Sequence, residues 1–118
     1  MRYFSEIDFK QANPSCSMED MDRDFLNKLD QARHISGVAY VINSAFRSVS
    51  HEKSRGRNGS STHTLGKAVD IRVRSSRERY HIIRGLLEVG FRRIGVANTF
   101  IHVDDDPVKD KDVIWTYS

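Results

Sequence analysis

The segment Ser61-Thr62-His63-Thr64-Leu65-Gly66-Lys67-Ala68-Val69-Asp70-Ile71, followed later by Phe100-Ile101-His102-Val103-Asp104, carries the reading of this chain. It supplies a His, an Asp seven positions on, and a second His about thirty residues further along. Two imidazoles and one carboxylate are a common ligand set for a catalytic zinc that keeps one position open for water. Strand-forming residues flank each half, so the three donors are expected to converge from rigid sheet positions, which hold a metal's geometry better than a loop does. Alternation along a strand puts Asp70 on one face with Ala68 and Arg72 and sends Val69 and Ile71 to the other. His102 and Asp104 likewise share a face, opposite Ile101 and Val103. A carboxylate between Val69 and Ile71 is costly to bury unless a cation or hydrogen-bond donors compensate it. Gly66 and Ala68 are small enough to let the backbone approach closely. On the residues alone a second reading stays open, in which each His is a hydrogen-bonded core or surface residue and Asp70 caps a loop.

Outward from this segment, 68–73 reads as a strand. Ser75-Ser76-Arg77-Glu78 forms a capping box that opens a helix, with Tyr80, Ile83, Leu86 and Leu87 on one face and Gly90 at its close. Three more short strands follow at 91–96, 99–104 and 113–117, the first two a hairpin turned at Ala97-Asn98. On the N-terminal side, 3–9 is a short apolar-rich arm that ends near Asn13-Pro14. A second capping box, Ser17-Met18-Glu19-Asp20, precedes Met21, Phe25, Leu29 and Ala32, whose spacing predicts an amphipathic helix over 18–35 ended by Gly37. The β-branched and aromatic run 38–42 predicts a strand, and the polar stretch 47–62, punctuated by Gly56 and Gly59, a long surface loop. The expected class is α+β: a small, mainly antiparallel sheet with two helices.

At 118 residues the chain is expected to form one domain, spanning 1–118. Charged residues make up 30% and apolar ones 38%, and no apolar run approaches the roughly 18 residues of a membrane span. Met1 to Glu6 lacks a signal peptide's apolar stretch, so synthesis in the cytoplasm without a signal peptide is expected. Cys16 is the single cysteine, which rules out an internal disulfide and a cysteine-based zinc site and leaves a buried or idle thiol. The net charge of +3 is mild, but Arg47, Lys53, Arg55 and Arg57 form one basic cluster and Arg72, Arg74, Arg77 and Arg79 another, balanced by Asp104-Asp105-Asp106 and Asp110. Such clusters can mark nucleic-acid binding. No aromatic residue interleaves with the 47–57 cluster, however, and a solvated loop or one facing an anionic polymer such as a cell wall suits it as well. A monomer without a specific nucleic-acid partner is expected.

The run Ser61-x-His63-x-x-Gly66-x-Ala68-x-Asp70-Ile71 resembles the first zinc motif of the zinc D-Ala-D-Ala carboxypeptidases and related peptidoglycan peptidases, a group that includes the hedgehog signalling domain. Asn43-Ser44-Ala45-Phe46-Arg47-Ser48 resembles that family's Ser-Gly-Tyr-Arg-Ser strand end. Phe100-Ile101-His102-Val103-Asp104 is similar to the ending of its short, phage- and bacterium-encoded branch, and Trp115 to that branch's C-terminal aromatic. The resemblance runs from Phe4 to Trp115. It implies a hedgehog/DD-peptidase-like fold and a Zn²⁺ ion on His63, Asp70 and His102, with a water in the fourth position. It also implies that Arg47 stabilises an oxyanion or holds a substrate carboxylate, and that Ser61 fixes the His63 loop or binds substrate.

Many relatives carry a Glu or Asp base three residues before the last zinc His, where this chain has Thr99, and others a His two residues before it, where this chain has Phe100. Asp104 is the remaining candidate for the general base, with orientation of a zinc His as its alternative role. His51 and His81 are weaker candidates, and His34 suits a charge at a helix C-terminus. The implied activity is zinc-dependent hydrolysis of amide bonds in peptidoglycan stem peptides, by a carboxypeptidase or an endopeptidase. It would act on the cell wall after phage lysis or virion delivery. An inactive metal-containing binding domain of the same fold is the alternative, supported by Thr99.

Overall fold

A computed structural model describes residues 1–117 of the chain. Its two longer helices, α2 (Arg23–Ser36) and α4 (Ser76–Glu88), form where apolar residues recur at helical spacing between good caps. Asp22 caps α2 by accepting the Phe25 amide at 2.9 Å, and Gly37, at φ 71°, ends it in the left-handed conformation. Ser75 caps α4 through the Glu78 amide at 3.1 Å. Two short helices, α1 (Glu6–Lys10) and α3 (Val49–Ser54), lie in the segments expected to be an arm and a loop. Each has a local cap, Ser5 with Asp8 for α1 and Ser48 for α3, which is enough for one or two turns once the flanking chain is anchored.

Five strands form one sheet in the order β1-β2-β4-β3-β5: β1 (Ile42–Ser44), β2 (Ala68–Arg72), β3 (Arg93–Val96), β4 (Phe100–Asp104) and β5 (Val113–Thr116). All pairings are antiparallel except β3 with β5. The fold is thus α+β with a mainly antiparallel sheet, and β3 and β4 form the hairpin expected around Ala97-Asn98. The face of the sheet bearing Val69, Ile71, Ile94, Ile101 and Val103 joins Phe25, Leu29, Ile82 and Leu86 of the helices in one core. The polar side chains of β2 and β4 are therefore on the opposite face, away from the helices.

Three expectations shift. The helix expected from residue 18 begins at Arg23; the Ser17 capping box closes only a 3-10 turn, Met18–Asp20, after which Met21 is extended. The strand expected at 38–42 pairs only from Ile42 onward, because the run leading into it buries Tyr40 against α4, where its hydroxyl donates to the Ile82 carbonyl at 3.4 Å. On α4, Tyr80 and Leu87 are exposed and the buried face is Ile82, Gly85 and Leu86. The cause is Gly85: a Cβ there would lie 2.6 Å from the Ala32 carbonyl oxygen of α2, so the helices meet over a residue that has no side chain.

Candidate metal centre

Cross-strand register builds the site before any loop is added. Asp70 on β2 faces His102 on β4, His102 faces Gly95 on β3, and Gly95 faces Trp115 on β5; Ser44 of β1 stands beside Asp70. A single row across the sheet therefore carries a carboxylate, an imidazole, a gap and an indole. Trp115 leans across the gap until its ring centroid is 5.5 Å from that of His102. A Cβ on Gly95 would sit 2.6 Å from the indole Nε1, so only glycine leaves room for this packing.

His63 does not come from a strand, as the sequence had led us to expect. It sits on a 3-10 turn, Thr62–Leu65, just before β2, because Gly66 at φ 69° reverses the chain and delays strand pairing until Ala68. The turn is nonetheless fixed on every side. Ser61 Oγ accepts the His63 amide at 3.2 Å, the His63 carbonyl accepts the Arg47 amide at 3.2 Å, and the Gly66 carbonyl accepts the Asp22 amide at 2.9 Å. Thr62 donates its hydroxyl to Asp106 Oδ2 at 2.6 Å.

His63, Asp70 and His102 each direct one ligand atom into a common space, all within 4.8 Å of one another. Hydrogen bonds select which atoms these are. His63 Nδ1 is 2.6 Å from the Ala45 carbonyl oxygen, which can only accept, so Nδ1 carries the proton and the Nε2 lone pair faces inward, 3.5 Å from Asp70 Oδ1. His102 Nε2 donates to Asp104 Oδ2 at 2.6 Å and turns Nδ1 inward, 2.9 Å from Asp70 Oδ1. Burial opposes ionisation of Asp70, but the adjacent His102 and His63 imidazoles overcome it and hold the carboxyl well below the usual range. Burial also disfavours a charged His102, yet the Asp104 and Asp70 carboxylates outweigh it and raise its pKa. Two imidazoles and an ionised carboxylate around one space can hold a divalent metal ion.

Asp104 shares the face of His102, as alternation requires, and is 1% exposed. Its Oδ2 accepts from His102, and its Oδ1 accepts from Arg93 Nε at 2.7 Å and the Asp106 amide at 3.0 Å. Desolvation opposes its charge, but these donors keep its pKa below the ordinary value. Of the acidic run that balances the basic clusters, Asp104 and Asp106 are buried, and Asp105 pairs with Lys28 at 3.3 Å. Arg47 lies beside the turn that bears His63, and its Nε is 3.6 Å from Glu52 Oε2. Thr99 is exposed in the β3–β4 turn, and the Phe100 ring packs on Tyr117 at 5.2 Å. His34 contacts Arg2 and Tyr3 at the end of α2, and His81 is on α4.

Four residues of the surroundings were not singled out from sequence: Glu52, Arg93, Gly95 and Tyr117. Arg93 had a usable signal, since folding the hairpin at 97–98 sets it beside Asp104. Tyr117 feels the charges of Asp70, Asp104 and Arg47, and burial leads the causes that raise its hydroxyl's pKa. A cavity of about 700 Å³ lies elsewhere, between the N-terminus and α2. Its Asp30 is occupied by the amides of Arg2, Tyr3 and Phe4, so donor geometry rather than cavity size marks the site.

No helix of the described residues is long and apolar enough to cross a membrane. A family model described as Peptidase M15 matches residues 5–104, a span that includes Arg47, Ser61, His63, Asp70, His102 and Asp104. No curated protein matches the chain.

Proposed function

Because the chain belongs to the peptidase M15 family, we propose that it is a zinc-dependent peptidase that hydrolyses amide bonds in peptidoglycan peptides. The observation that carries this reading is the inward convergence of His63 Nε2, Asp70 Oδ1 and His102 Nδ1, with each imidazole's other nitrogen tied to an acceptor. Such outer partners fix the tautomer and aim the lone pair, as they do around metal-bound histidines generally. Nitrogen and carboxylate donors without cysteine, three in number, suit a zinc that keeps one open position. When bound, zinc supplies Lewis acidity towards a scissile carbonyl and makes a bound water acidic near neutral pH.

The chain's own residues then divide the remaining work. Ala45 and Asp104 orient the two imidazoles. Arg47, anchored next to His63, offers a guanidinium for an oxyanion or a substrate carboxylate. Ser61 fixes the His63 turn through its hydroxyl. A general base needs an acceptor open to water. Both oxygens of Asp104 are engaged, so we assign Asp104 to positioning His102 ahead of the base role.

An inactive metal-binding domain is the second reading. Thr99 at the family's usual base position and the closed surroundings of Asp104 favour it. Digestion of purified peptidoglycan, followed by mass spectrometry of the products, separates the two. The peptidase reading expects zinc-loaded protein to release peptide fragments and His63→Ala to release none. Zinc bound in equal amount to protein, with no fragment released, would establish the binding domain. A wall substrate also sets the place of action at the cell wall, reached after phage lysis or by virion delivery.

A further inference from the structure

The phenol of Tyr117 borders the metal row and takes no part in orienting the imidazoles. Its amide donates to the Val96 carbonyl at 3.2 Å, which carries the β3–β5 pairing one residue past β5. Alternation sets Tyr117 on the face of Trp115, away from the helices. Its ring does not run on along the strand. Phe100 backs one side at a centroid distance of 5.2 Å, and the Cε1 edge lies 2.8 Å from where a Cβ on Gly95 would stand. Gly95 faces His102 directly, and Cε1 adjoins the carbon that bears the hydroxyl. The missing side chain at Gly95 therefore lets the phenol reach back over the metal row with its polar end leading.

That hydroxyl stands in the field of the site. The charges of Asp70, Asp104 and Arg47 all act on it, and the Trp115 indole N–H is directed at its oxygen. An indole can only donate, so the phenol oxygen accepts from Trp115 and keeps its own O–H for an outside acceptor. Tyr117 is 46% exposed, so a ligand over the metal row can reach that proton. Other donors near the site are committed. The imidazole N–H groups serve the Ala45 carbonyl and Asp104, and Arg47 Nε faces the buried Glu52 at 3.6 Å. A phenol titrates near pH 10, roughly, and burial raises this one further, so it is a neutral donor at physiological pH. With a donor and not a base beside it, it gives a hydrogen bond without giving up its proton.

Hydrolysis of a peptide amide at this centre places negative charge on the former carbonyl oxygen, and donors already aimed at such charge contribute most to catalysis. We propose that the Tyr117 hydroxyl is a substrate-contacting residue of the metal centre, donating a hydrogen bond to the scissile carbonyl oxygen as it becomes an oxyanion. The identity of the substrate rests on the peptidase reading; the placement of the donor does not.

Tyr117→Phe removes one oxygen and keeps the ring that packs on Phe100 and over Gly95. Zinc-loaded wild type and variant are titrated by calorimetry with two probes: an N-acetylated dipeptide amide, and the same compound with a tetrahedral phosphinate in place of its central amide. The variant is expected to bind the phosphinate about tenfold or more weakly, with dipeptide and zinc affinities kept within about twofold. Release of fragments from purified peptidoglycan is expected to slow about 10²-fold. Unchanged phosphinate affinity in the variant, no phosphinate binding by the wild type, or equal weakening for both probes would overturn the proposal. A larger fall in zinc affinity would also overturn it, since Tyr117 would then be packing the metal row. Wild type that releases no fragments, together with selective loss of phosphinate binding in Tyr117→Phe, refutes the peptidase reading and leaves the donor in place.

Discussion

Asp104 shows how one side chain can be read two ways from sequence and one way from its contacts. Alternation places it beside His102 on the face of β4 away from the helices, where a base would be expected. The hairpin then brings Arg93 against it, and three donors converge on its two oxygens. Such a carboxylate is rigid and closed, which suits holding an imidazole and not exchanging protons with water. Asp104→Asn keeps the shape but presents an amide group where two acceptors were needed. Zinc affinity is then expected to fall about 10- to 100-fold, as for other lost outer partners, measured by competition with a chromogenic chelator. If affinity is unchanged while kcat at saturating zinc falls about 10²-fold or more, Asp104 is the base after all.

The sheet does its positioning through a row and not through single strands. Trp115 reaches His102 only across Gly95, so three strands cooperate in packing one face of one imidazole. Gly95→Ala would push a methyl group into the indole and into Tyr117. We expect about 1–3 kcal/mol of destabilisation from such overpacking, read by urea unfolding. Trp115 is the chain's single tryptophan, so a red shift of its emission would report displacement from the row. Unchanged stability and emission would mean that β5 can shift aside without cost. The same logic explains α4, whose buried face is centred on Gly85. Hydropathy spacing weighs side chains and therefore passes over the position where the two helices come closest.

Across the whole molecule, the turn that bears His63 is held by residues from both ends of the chain. Thr62 bonds Asp106, Gly66 receives the Asp22 amide, and Lys28 of α2 pairs with Asp105. Asp106 links this network to acid stability. Desolvation opposes its charge, but the Thr62 hydroxyl and the amides of Val108 and Lys109 lower its pKa to about 2. The unfolded value is near 3.9, so the folded state favours the ionised form. Its contribution is therefore complete above that unfolded value and is lost as pH falls through about 2. Thermal unfolding of wild type and Asp106→Asn at pH 6 and pH 2 should show a stability gap that narrows by roughly 1–2 kcal/mol at the lower pH. A gap that does not change with pH would show that the charge of Asp106 is immaterial.

The sequence by itself determined the α+β class, α4 and the core of α2, the β3–β4 hairpin and the facing of Asp70 and His102, because these follow from local periodicity and alternation. Residue type and spacing also brought His63, Asp70 and His102 into view, and the resemblance to the zinc peptidases added Arg47 and, as candidate base, Asp104. Only the tertiary structure decided that His63 comes from a 3-10 turn, which ring nitrogens face inward, and that Asp104 is fully engaged. Those facts depend on Ala45, Arg93 and Asp106 meeting side chains from other segments. Likewise, Lys53, Arg55 and Arg57 stay exposed as the charge run suggests, and only the fold buries Glu52 among them, beside Arg47 and Arg57. Short-range spacing fixes which way a side chain points along its own element; the partner it meets there is chosen by segments that approach only when the chain has folded.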